Sequence, residues 1–72
     1  MDLLTFKDGK LVGFEFKFAD APKTTKSMHH ALADLKLEHL YVIYPGQREI
    51  PLADRITALG LETWVKSVTD TD

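Results

Sequence analysis

Seventy-two residues, 44% of them hydrophobic and 28% charged, describe one small globular domain and exclude both a disordered segment and a multi-domain enzyme. Cysteine is absent, which removes disulfides, cysteine-ligated zinc and thiol catalysis together, and a formal net charge of -2 gives no overall attraction to nucleic acid or anionic membranes. No apolar run approaches the roughly 20 residues of a membrane span, and the Met-Asp-Leu-Leu start lacks a basic signal-peptide region, so a cytoplasmic protein is expected.

Residues 2–6 and 11–18 read as two strands flanking Asp8-Gly9, a dipeptide that supplies the two positive φ angles of a type I′ hairpin turn. The second run alternates: Val12, Phe14, Phe16 and Phe18 share one face and are expected to form a core stripe, while Leu11, Gly13, Glu15 and Lys17 share the other. Residues 19–25 connect, with Pro22 ending the strand. A helix is expected over 25–37, capped by Thr24 or Thr25, with Met28, Ala31, Leu32 and Leu35 as its buried stripe. The apolar run at 39–44 predicts a central strand buried on both faces. Residues 49–52 predict an edge strand marked by Pro51, residues 55–61 another strand ended by Gly60, and residues 62–68 a short helix packing Trp64, Val65 and Val68. The lysines of the first half and the acidic tail at Asp70 and Asp72 read as solvated surface.

If the hairpin loop is Asp8-Gly9, Lys7 faces Lys10, Phe6 faces Leu11, Leu4 faces Gly13 and Asp2 faces Glu15. Directly opposed residues share a face, so Asp2, Glu15 and Lys17 stand together. Two carboxylates so close call for a cation; Lys17 supplies one, and Mg2+ or Mn2+ bound by Asp2 and Glu15 is the alternative. Such a group has a chemical use, because two carboxylates can hold a metal that activates water at a scissile phosphate while a lysine offsets developing charge. Glu-x-Lys on a strand is nevertheless common on solvated faces. His29, His30 and His39 do not suggest a metal, since adjacent histidines on a helix project about 100° apart. Tyr41, Tyr44 and Trp64 are more simply core and packing residues than base-stacking platforms, and no glycine-rich phosphate loop is present.

The run Asp-Leu-Leu, then Gly-Phe-Glu-Phe-Lys-Phe, Ala-Pro-Lys-Thr-Thr-Lys-Ser-Met and Leu-Tyr-Val-Ile-Tyr-Pro-Gly resembles the C-terminal domain of unknown function of predicted bacterial and archaeal AAA-type ATPases. The resemblance runs from about Asp2 to Leu61. It implies an α/β restriction-endonuclease-like fold of the PD-(D/E)xK type, with a β-hairpin, a helix and further strands in one mixed sheet. It also implies that Asp2, Glu15 and Lys17 take the two acidic positions and the lysine. Met1 stands where the motif has proline, and the helix and strand that normally precede the first acidic position are missing. A core truncated at its N-terminus is therefore expected, completed by a homodimer or another protein partner.

Three functional readings follow. The chain is an interaction or regulatory module, detached from an ATPase-like protein and carrying a relic nuclease site that is inactive in isolation. Alternatively it is a divalent-metal-dependent phosphodiester nuclease, or a truncated fragment without an independent role.

Overall fold

A computed structural model describes residues 1–18 and 22–69; residues 19–21 of the first connection and the acidic Asp70 and Asp72 lie outside them. The elements follow in the order β1 (Leu3–Lys7), β2 (Lys10–Phe16), α1 (Lys26–Asp34), β3 (His39–Tyr44), β4 (Glu49–Ala53), β5 (Ile56–Gly60) and α2 (Leu61–Thr69). The result is an α/β fold with a single mixed sheet in the order β1-β2-β3-β5-β4. The two outer pairs are antiparallel, and the two inner pairs, β2 with β3 and β3 with β5, are parallel.

Local chemistry fixes the first hairpin. Asp8 (φ 54°) and Gly9 (φ 79°) both occupy the left-handed region, the requirement of a type I′ turn, and Lys7 opposes Lys10 with Leu4 opposite Gly13. At α1 the Thr25 hydroxyl accepts the Met28 N–H at 3.3 Å, meeting one of the donors that a helix start leaves free.

The helix stops at Asp34, three residues short of the expected 37, because Lys36 turns left-handed (φ 53°). Its N–H donates to the Ala33 carbonyl at 3.3 Å and the Leu37 N–H to the Leu32 carbonyl at 3.0 Å, the paired bonds of a Schellman ending. This reversal drives Leu37 into the core at 1% exposure and leaves Leu35, expected on the buried stripe, 39% exposed. A non-glycine residue at such a position costs about 1 kcal/mol, which the burial of Leu37 offsets.

The tight core lies between α1 and the sheet: Met28, Leu37, Leu40, Val42 and Ile56 pack together, with Leu11 and Leu32 against them. Truncating one of them to alanine typically costs about 2–5 kcal/mol. Leu11 and Gly13 belong to this face, so the phenylalanine stripe is not the main core. Val12 is buried and Phe14 half-buried, but Phe16 is exposed and Phe18 is 96% exposed. Two causes account for the difference. The strand ends at Phe16, so alternation has lapsed by Phe18, and α2 meets the second face with Trp64, which packs on Phe14 and Phe16 with ring centroids 5.7 and 5.5 Å apart.

The C-terminal helix is nine residues long and starts directly from β5. Gly60 makes that junction: a Cβ there would stand 2.2 Å from the Gly46 carbonyl oxygen, and its N–H donates to the Arg48 carbonyl at 2.9 Å. Only a hydrogen fits.

Candidate functional site

Asp2 precedes β1 by one residue. Glu15 lies on β2 opposite Val42, and Lys17 follows the strand, its backbone still tied to the sheet by an N–H bond to the Ile43 carbonyl at 2.9 Å. Two contacts form at this end of β2, and neither of them joins Asp2 to Glu15 or Lys17; the paired register of the hairpin begins at Leu3 and Phe14. The Phe16 N–H donates to Asp2 Oδ2 at 2.8 Å, and Lys17 Nζ lies 3.7 Å from Glu15 Oε2. Asp2 therefore holds the chain start against β2 with a charge-assisted bond, the stronger class of hydrogen bond. The Glu15–Lys17 pair is partly exposed, and such pairs contribute only about 0–1 kcal/mol.

Both carboxylates are engaged by groups of the chain itself. Magnesium demands near-octahedral oxygen coordination, whereas one carboxylate here faces a backbone N–H and the other an ammonium. Among the described residues, no group of three or more His, Cys, Asp or Glu side chains is placed to hold a metal ion. Gly13, which stands beside this group on the strand, is small for a different reason. A Cβ on it would approach Leu37 Cδ1 to 2.8 Å and Met1 Sδ to 3.1 Å, so glycine there lets Leu37 close over the sheet.

The aromatic candidates are occupied internally. Tyr41 stacks on Phe14 with centroids 5.5 Å apart, Trp64 covers Phe14 and Phe16, and the Tyr44 hydroxyl donates to the Arg48 carbonyl at 3.3 Å. His39 is half-buried, with Nε2 2.7 Å from the hydroxyl of buried Thr57 and its ring 4.6 Å from that of Tyr41. Burial pushes its imidazole below the ordinary histidine range, outweighing the opposing pull of the Glu38, Glu49 and Asp54 carboxylates.

The outer edge of β1 is a second candidate surface, at a place in the fold that the sequence did not specify. Leu3, Leu4 and Phe6 are all exposed, Leu4 at 43% and Phe6 at 76%, along a strand that has a neighbour on one side only among the described residues. The signal was present in the sequence, since Leu-Leu-Thr-Phe places apolar residues on both faces of a strand that has no proline and one charge. No helix among the described residues is long and apolar enough to cross a membrane.

A family profile described as a domain of unknown function, DUF4143, matches residues 1–64. The chain is 39% identical over 59 residues to an uncharacterised protein of Mycobacterium bovis, and equally so to an uncharacterised protein of Mycobacterium tuberculosis. The matched region is 82% of this chain and 13% of either relative, so the chain spans a small part of the length of the curated proteins it matches. No solved structure matches it.

Proposed function

The chain belongs to the DUF4143 family, and on that premise we propose that it is a cytoplasmic protein-interaction module on a restriction-endonuclease-like core, part of ATPase-associated proteins. In this reading the nuclease-type group Asp2, Glu15 and Lys17 is a structural relic. The observation that carries the proposal is the β1 edge, a run of exposed apolar side chains on a strand whose outer backbone groups pair with no strand among the described residues. Such an edge is a ready template for another chain, and soluble proteins normally blunt it. The state of the carboxylates supports the same reading: Asp2 closes the chain start onto Phe16, and Glu15 pairs with Lys17.

The competing nuclease reading draws on the same three residues lying at one strand end, and one experiment separates the two. Thermal unfolding of the wild type and Glu15→Ala with Mg2+ or Mn2+ is expected to show no metal-dependent rise. In parallel, a hydrophobic fluorescent dye should bind the wild type at low protein concentration and lose that binding in a Leu4→Lys/Phe6→Lys double variant. The double variant's stability should change by no more than about 0.5 kcal/mol, as for other surface substitutions. A metal-dependent stabilisation abolished by Glu15→Ala would favour the nuclease, and dye binding indifferent to the double variant would remove the interaction surface.

A further inference from the structure

We infer that the occupant of the β1 edge is a second copy of this chain, paired antiparallel through its own β1 about a two-fold axis at Thr5. The inference rests on the interaction reading above and specifies its partner. Backbone register leads to it. The two-residue turn closes on a hydrogen-bonded Lys7–Lys10 pair, and bonding alternates along an antiparallel ladder. Lys7, Thr5 and Leu3 thus direct their N–H and C=O groups toward β2, whereas Leu4 and Phe6 direct theirs outward.

Outward groups at Leu4 and Phe6 are self-complementary in one register. With Thr5 facing Thr5 of the second copy, Leu4 of each copy faces Phe6 of the other, and each of these two pairs exchanges both of its N–H to carbonyl bonds. Side chains agree with the backbone. Leu4 and Phe6 lie on the same side of the sheet as Leu11 and Gly13, so four apolar side chains gather there and extend the α1 core across the axis. On the other side Thr5 meets Thr5, a favourable cross-strand pair, and Lys7 meets Leu3 rather than a like charge. The two Lys7 side chains are four positions apart along the strand, roughly 13 Å, beyond the Debye length at physiological salt. The interface is isologous, as closed dimers require. A five-residue edge buries little area, which places the dimer in the weak, concentration-dependent class.

The opposite edge does not offer this. On β4, Pro51 lacks an N–H, and the register shifts between Pro51 and Ala53.

The chain has no cysteine, so single substitutions report the register cleanly. In a non-hydrogen-bonded pair the Cα atoms are about 4.5 Å apart, within disulfide range. Under mild oxidation at high protein concentration, Thr5→Cys should form a disulfide-linked dimer. Leu3→Cys and Lys7→Cys should each remain monomeric alone but cross-link when mixed. Introducing Phe6→Pro or, independently, Phe6→Lys into the Thr5→Cys chain should reduce cross-linking at least tenfold while the melting curve stays cooperative. Cross-linking of Thr5→Cys no greater than that of Leu3→Cys alone would overturn the second copy as partner. If the dye binding described above persists in that case, the edge remains an interaction surface for a different chain, so the two readings fail separately.

Discussion

The β4 edge of the sheet carries Pro51, a register shift and the charged Glu49, while the β1 edge carries Leu3, Leu4 and Phe6 with one lysine at its end. Both are outer strands of antiparallel hairpins with two-residue turns, so topology does not distinguish them. What differs is whether the outward N–H groups and side chains are blunted. On β1 they are not, which makes that edge, rather than the carboxylate group beside it, the more distinctive surface of the described residues.

The largest expected effect comes from breaking the finished edge at its support. Gly60→Ala would drive a methyl group into the Gly46 backbone and displace the loop that delivers β4. Overpacking of this kind costs about 1–3 kcal/mol and occasionally more; because the obstacle is backbone, the upper end, about 3 kcal/mol, is expected in urea unfolding.

A smaller effect sharpens the contrast. Pro51→Val restores an N–H to the β4 edge, and in an edge strand a proline's missing donor is normally the one facing solvent. Monomer stability should move by no more than about 0.5 kcal/mol. Self-association measured by sedimentation should rise above that of the wild type, whereas an unchanged sedimentation profile would mean that β4 is kept closed by something other than its proline.

Much of the fold was legible because its signals are local. Asp8-Gly9 specifies its turn through two positive φ angles, and Thr25 announces the start of α1 through its own hydroxyl. The end of α1 was not legible, since Lys36 adopts a left-handed conformation for which the sequence offers no glycine; only the pull of Leu37 toward the core explains it. The identity of the main core face was not legible for a related reason. Alternation divides β2 into two faces, but which one is sealed depends on the helix that covers it. Three phenylalanines outweighed a face that reads thin at Gly13 until Leu37 fills it.

At the candidate site, counting across the hairpin predicts Asp2 opposite Glu15, whereas the contacts there are Asp2 with the Phe16 backbone and Glu15 with Lys17. Counting did not reveal that Asp2 bonds to the Phe16 backbone, because a main-chain donor leaves no mark in a side-chain pattern.

The most direct measurement is backbone amide hydrogen exchange along β1 at two protein concentrations. Thr5 and Lys7 face β2 and should be protected at both, while Leu4 and Phe6 should exchange rapidly in dilute solution and slow as concentration rises. Rapid exchange of Leu4 and Phe6 at every concentration would contradict self-pairing of the open edge, and protection of both in the dilute monomer would contradict the edge being open.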